Sequence, residues 1–330
     1  MQRLFLALAC LAVVVTALPA PADPLAHTFS IVARDPETGE MGVAVQSHWF
    51  SVGSIVTWAE AGVGAIATQS FVDPGYGVKG LERMRAGEAA PDALAALVAA
   101  DAQRDGRQVA MIDSRGRVAA HTGATAIQAA GHHVGRGYAV QANLMENDTV
   151  WPAMADAFER AKGDLADRML AALEAGQRAG GDIRGRQSAA ILIVRPRSTG
   201  RPWVGADRVF DLRVEDHPEP IAELARLVQR QRAYNHANLG DELMTTGKVE
   251  DALAEYRRAA ELAPDIVELP FWQAVTLASI GREAEAVPIF KEVFAKEPKW
   301  AELVPRLPAA KLLPDDPALI ARIVALAPKR

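Results

Sequence analysis

Two short apolar runs, residues 29–33 and 41–46, flank the segment Asp35-Pro36-Glu37-Thr38-Gly39. Proline pre-sets φ and glycine tolerates positive φ, so the segment is a tight turn and the two runs read as a β-hairpin. Further strand-like runs recur at 62–69, 108–113, 118–121, 138–141 and 189–194. Several are continuous and β-branched, as in strands covered on both faces. Helical stretches interleave at 74–85, 91–102 and 150–179, the last placing Met154, Phe158, Leu165, Met169, Leu170 and Leu173 at helical spacing. Antiparallel hairpins with grouped helices argue for an α+β layered domain rather than a regularly alternating α/β fold. Residues 203–214 read as a further strand pair.

The N-terminus predicts the compartment. Arg3 precedes an apolar run over 4–18, and Ala20-Pro21-Ala22 is an A-x-A-like cleavage site, so residues 1–22 read as a signal peptide cut after Ala22. The mature protein is then periplasmic or secreted. The run is short for a membrane span; an uncleaved anchor, or a lipoprotein anchored through Cys10, is the alternative. Cys10 is the single cysteine, so cleavage after Ala22 excludes disulfides, a thiol nucleophile and thiolate zinc sites. The net charge of −5 comes with no basic stripe, which argues against nucleic acid as a partner.

Asp216-His217-Pro218-Glu219-Pro220 marks a domain boundary, giving one domain over 27–215 and a second over 220–330. The second carries an internal repeat: Gly247, Ala252, Tyr256 and Pro264 recur 34 residues later as Gly281, Ala286, Phe290 and Pro298, with Leu243 and Leu277 in the same register. That period, with small residues, one aromatic and a terminal proline, is the signature of all-α tetratricopeptide-like repeats. Two such repeats are marginal alone. They are expected to pack on the first domain or on another subunit, as a possible homo-oligomer, and to dock a protein partner.

The run His27-Thr28-Phe29-Ser30-Ile31-Val32-Ala33-Arg34-Asp35-Pro36-Glu37-Thr38-Gly39-Glu40 resembles the start of the domain-of-unknown-function 1028 family. The resemblance continues through Gly42-Val43-Ala44-Val45-Gln46-Ser47-His48-Trp49-Phe50, Trp58-Ala59-Glu60-Ala61-Gly62-Val63-Gly64-Ala65, Ala67-Thr68-Gln69-Ser70, Ala120-His121-Thr122-Gly123 and Gly185-Arg186-Gln187-Ser188-Ala189-Ala190. It covers nearly all of residues 27–195. It implies the four-layer αββα sandwich of the N-terminal-nucleophile (Ntn) hydrolases, and no established reaction.

An Ntn hydrolase attacks an amide with the side chain of its first residue, whose free α-amine, with a pKa near ~8, takes the proton. Thr28 is the first candidate and Ser30 the second. Cleavage after Ala22 leaves residues 23–27 ahead of Thr28, so a free amine there requires a further cut after His27; cleavage after Ala26 would expose His27, which cannot serve. Otherwise Thr28 is a strand-edge residue. His48 is a candidate base or ligand, but Ser47 and His48 are adjacent on a strand and point to opposite faces. Gln69 and Asp73, where a buried strand emerges, His121 at another strand end, and Asn143 in a polar turn are candidate substrate contacts, against capping and Asx-turn readings. Asp182, Arg186, Gln187 and Ser188 form a polar cluster in a Gly-rich loop, where Arg186 is placed to clamp a carboxylate or phosphate, or to sit in a salt bridge.

No metal or cofactor is expected. His132 and His133 are adjacent, which is poor chelating geometry, and His-Glu-x-x-His, Gly-Lys-Ser/Thr and Gly-x-Ser-x-Gly signatures are missing. The sequence thus supports an amide hydrolase with a small-molecule or peptide-like amide substrate, or alternatively a non-catalytic ligand-binding αββα domain with a protein-docking repeat module.

Overall fold

The structure is a computed structural model that describes residues 25–328. The expected signal peptide, its cleavage site and Cys10 lie outside the described residues. In chain order the elements are β1 (Leu25–Ala26), β2 (Thr28–Arg34), β3 (Met41–Ser47), α1 (Gly53–Val56), β4 (Thr57–Glu60), β5 (Gly64–Phe71), α2 (Gly75–Arg85), α3 (Ala90–Ala100), β6 (Arg107–Asp113), β7 (Val118–Thr122), β8 (Gly131–Gly135), β9 (Tyr138–Ala142), α4 (Val150–Arg160), α5 (Leu165–Arg178), β10 (Ser188–Val194) and β11 (Arg208–Val214). Helices follow: α6 (Pro220–Thr245), α7 (Val249–Leu262), α8 (Glu268–Ser279), α9 (Glu283–Lys296), α10 (Trp300–Leu303) and α11 (Pro317–Val324).

The strands form two antiparallel sheets. One is ordered β11-β10-β3-β2-β9-β8. In the other β5 pairs with β6 along one edge, and β4 and β1 share the opposite edge of β5. The β2–β3 hairpin turns at Gly39, whose φ of +76° is a left-handed conformation that glycine adopts without strain.

Alternation along each strand sorts the core into layers. Val32, Val43 and Val45 meet Ala65, Ala67, Ala110 and Ile112 between the sheets. Phe29, Ile31 and Ala44, on the opposite face of the same strands, pack with Met154, Phe158, Met169 and Leu173 of α4 and α5. On the far side of the other sheet, Ile66, Val109 and Met111 pack against Tyr76, Leu81 and Leu94 of α2 and α3. The layers therefore run helices, sheet, sheet, helices.

Three local differences from the sequence reading have physical causes. Residues 150–179 form two helices, α4 and α5, with Gly163 at φ +103° between them and Asp164 capping α5 by accepting from the Asp167 N–H. The expected strand pair at 203–214 is the single strand β11 with a short bridge from Val204 to Arg208. The strands β1, β4 and β8 carry too few apolar residues to declare themselves by periodicity.

The first turns of α6 return to the six-stranded sheet, where Ile221, Leu224 and Val228 join its helix-side core. Its later part packs on α7, where Gly240 faces the Tyr256 ring at a distance that a Cβ would violate. The C-terminal helical region has its own core, in which Ala252 and Tyr256 are followed by the equally buried Ala286 and Phe290.

Candidate active site at the start of the second strand

Residues 25–28 pass from one sheet to the other. Leu25 and Ala26 pair with Phe71 and Ser70 of the first sheet. Thr28 opens β2 opposite Ser47 in the second. His27 is the crossing residue, 3% exposed, with the fully buried Ala26 and Thr28 on either side.

The backbone and side chains here form one set of hydrogen bonds. Thr28 Oγ1 lies 2.8 Å from the Ala26 carbonyl oxygen and 3.1 Å from Ser47 Oγ, with a single proton to donate. Ser47 Oγ donates to the His27 carbonyl at 2.5 Å. Arg184 Nη2 donates to the same oxygen at 2.7 Å. Asp182, 3% exposed, holds Arg184 by accepting from its Nε at 3.0 Å and its Nη2 at 2.7 Å. It also accepts the His48 N–H at 3.1 Å. One peptide carbonyl thus receives a hydroxyl and a guanidinium, and the hydroxyl of the next residue, Thr28, lies 3.1 Å from the Ser47 oxygen that donates to that carbonyl. Donors aimed at a carbonyl oxygen in a buried site stabilise the negative charge that develops there when the carbon is attacked.

The His27 ring is held separately. Its Nδ1 lies 2.8 Å from Asn143 Oδ1, and the ring stands edge-on to Phe71 with centroids 6.2 Å apart. Burial pushes its pKa below the ordinary imidazole value; the Arg184 charge adds to this, while Asn143 and Asp182 oppose it. The ring is therefore neutral at pH 7, and Nδ1 carries the proton that Asn143 accepts.

Behind Thr28 lies a buried polar layer between the sheets. The Thr28 carbonyl accepts from Gln69 Nε2 at 3.0 Å and from the Asn143 N–H at 3.1 Å. Gln69 Nε2 also donates to Gln108 Oε1 at 2.7 Å, and Ser30 Oγ donates to Gln69 Oε1 at 2.6 Å. Asn143 Nδ2 donates to Gln108 Oε1 at 2.8 Å, which fixes the orientation of its amide. Gln108 Nε2 continues to Thr122, whose hydroxyl meets His132 Nδ1.

Of the residues singled out from sequence, Thr28, Ser47, Asn143 and Asp182 converge here, with Ser30 and Gln69 in the layer behind. The His48 side chain is exposed at the rim. Gln187 and Ser188 act structurally: the Gln187 N–H donates to the Ser47 carbonyl, and Ser188 Oγ donates to the Trp49 carbonyl and accepts from the Val52 N–H. Three lie elsewhere. Asp73 caps the start of α2 through the Gly75 N–H, His121 Nε2 meets the Arg104 carbonyl, and Arg186 pairs with Glu219. The sequence reading missed Arg184, two residues from the arginine it chose, and also His27, Gln108 and Gln141, whose Nε2 donates to Ser30 Oγ at 3.3 Å and to the Ala67 carbonyl at 3.2 Å. A signal for Arg184 was present in Asp182-Ile183-Arg184, which folds the arginine back on the aspartate.

Among the described residues, no group of three or more His, Cys, Asp or Glu side chains is arranged to hold a metal, and no helix is long and apolar enough to cross a membrane.

The family described as of unknown function, DUF1028, matches residues 28–224. A crystal structure of a protein from Silicibacter pomeroyi, itself assigned to DUF1028, is similar to this chain at 32% identity and a TM-score of 0.56, over 62% of this chain and 85% of that one. No curated protein matches.

Proposed function

We propose that this chain, which belongs to the DUF1028 family, is an amide hydrolase of the N-terminal-nucleophile type that frees its own nucleophile by cutting the His27–Thr28 bond. The observation that carries this is the doubly held His27 carbonyl, with Ser47 Oγ at 2.5 Å, Arg184 Nη2 at 2.7 Å and the Thr28 hydroxyl alongside.

The steps balance with water as the only co-reactant. Thr28 Oγ bonds to the His27 carbonyl carbon while Ser47 and Arg184 hold the oxyanion. The Thr28 nitrogen leaves that carbon and takes the hydroxyl proton. Water then splits the ester, giving a His27 carboxylate and a Thr28 with a free hydroxyl and amine. In later turnovers that amine, with a pKa near ~8, is the base for the adjacent hydroxyl. The helix–sheet–sheet–helix layering supports an Ntn-like sandwich. The paired helices α6–α7 and α8–α9, related by 34 residues, support tetratricopeptide-like repeats for docking a protein. The signal-like segment over residues 1–22 supports export to the periplasm or exterior.

One observation favours a second reading. His27 is 3% exposed and its ring is held by Asn143 and Phe71, as a residue retained in the fold would be. A chain that stays so would be a ligand-binding module. Intact mass and N-terminal sequencing of the exported protein decide between the two. The hydrolase reading expects wild type to begin at Thr28 and Thr28→Ala to keep residues ahead of position 28. A wild-type chain that retains His27 overturns it.

A further inference from the structure

The space that His27 fills has more specificity than a cleavage site needs. A scissile carbonyl requires donors, and Ser47 and Arg184 supply them. It does not require a buried side-chain acceptor for the preceding residue, yet Asn143 Oδ1 sits 2.8 Å from the His27 ring nitrogen. Nor does it require an aromatic wall, yet Phe71 stands edge-on to the ring at 87°. The two residues before His27 are also recognised, through antiparallel pairing with Phe71 and Ser70.

Resting on the hydrolase reading above, we infer that this space is the acyl-side subsite of the mature enzyme, and that it takes a histidyl residue at the end of an extended peptide. The chemistry follows from reversibility. The first product of self-cleavage is a leader ending in a His27 carboxylate. The site that held it during bond breaking is complementary to it, with its carbonyl between Ser47 and Arg184 and the Thr28 hydroxyl beside Ser47. An acyl group that enters later meets the same grip, the same Asn143 oxygen and the same wall.

Selectivity comes from the unmet bond. A phenylalanyl ring would meet Phe71 but leave Asn143 Oδ1 buried without a donor, which a polar site rejects more strongly than a small error of shape. A glutaminyl side chain would bring a donor without the ring. A charged imidazolium would be desolvated beside the Arg184 guanidinium, so the neutral ring is the form that binds. Pairing along β5 adds recognition of backbone rather than side chains, which favours a peptide over free histidine.

The test uses the full chain with His27→Ala and Thr28→Ala together, which keeps the leader attached and empties the ring space, with Thr28→Ala alone as the reference. Its melting temperature is followed against 4-methylimidazole and against toluene, the side-chain analogues of histidine and phenylalanine. The expected result is a saturating rise with 4-methylimidazole, half-maximal at a concentration about tenfold or more below that for toluene, the worth of one hydrogen bond. Adding Asn143→Leu should abolish the difference. Equal responses to the two analogues, or no response to either, overturn the inference. If the double variant does not fold, His27→Gln and His27→Phe are each combined with Thr28→Ala, so that the leader stays attached, and melted beside Thr28→Ala alone. Gln nearer to the His27-bearing Thr28→Ala chain supports selection by Asn143, and Phe at or above Gln overturns it. A wild-type chain that retains His27 would sink self-cleavage while leaving these ligand responses to be read on their own. Indifferent responses with normal processing would sink only the subsite.

Discussion

The space between the two sheets has two ends, built on the same faces of the same strands and opposite in character. Toward the Gly39 turn, Val32 and Val43 face Ala65, Ala110 and Ile112 in a dry apolar layer. Toward the start of β2, Thr28, Ser30 and Ser47 face Gln69, Gln108, Gln141 and Asn143, all buried. Residues 28, 30 and 32 lie on one face of one strand, so pleating alone treats them alike. A buried amide layer that must satisfy every donor and acceptor is a poorer way to hold two sheets together than the valines beside it. Where a chain departs from the simpler solution within one strand, the departure marks a candidate site.

The largest expected effect is at the apolar end. Ile112→Ala should cost about 2–5 kcal/mol in urea unfolding, the usual cost of a cavity in a packed core, while leaving the N-terminus of the mature chain unchanged. A loss of processing in that variant would erase the separation between the two ends.

At the polar end, Ser30→Ala removes the donor to Gln69 Oε1 and leaves that oxygen buried without it. The expected cost is about 1–3 kcal/mol, the penalty for one stranded buried group. A negligible change would mean that the polar layer rearranges freely, contrary to a rigid site.

Next is a pH dependence that the apolar end cannot show. His27 has a lowered pKa when folded, so the unfolded chain binds more protons below the ordinary imidazole value near 6.5. While the leader is attached, stability contributed by His27 is full above that value and falls as pH drops through the window beneath it. His132 is shifted the same way, chiefly by burial, and contributes to the same slope. In a Thr28→Ala background, thermal melts between pH 5 and 7.5 should lose part of this slope on His27→Gln. An unchanged slope would assign the whole effect to His132 and other groups.

The smallest effect tests whether polarity as such matters. The exposed pair Arg160–Asp156 has both side chains more than half open to solvent, and Arg160→Ala should change stability by less than about 1 kcal/mol. A larger loss there than in Ser30→Ala would remove the distinction between polar groups that are buried and polar groups that are merely paired.

Much of the scaffold was legible because its signals are local. The Asp35–Gly39 turn, the apolar runs of β2, β3, β5, β6, β9 and β10, and the helical spacing from Met154 to Leu173 are properties of neighbouring residues. The site was legible only in part. Thr28, Ser47 and Asn143 were placed from strand ends, whereas the choice of Arg186 over Arg184 turned on which guanidinium folds back toward Asp182 and which reaches Glu219. Nothing in the residues around Gln108 announces that its amide joins Gln69, Asn143 and Thr122.

The sequence by itself determined where the long apolar strands and most helices form, the 34-residue correspondence in the C-terminal helices, and the presence of a hydroxyl residue at the head of the first long strand. Those follow from periodicity and from turn chemistry, which act over a few residues. Only the tertiary structure decided that the His27 carbonyl would lie between Ser47 and Arg184, and its ring against Asn143 and Phe71. These partners are separated by 20, 157, 116 and 44 positions along the chain, and sheet pairing and loop closure bring them together. Such contacts are chosen by the packing of the whole molecule.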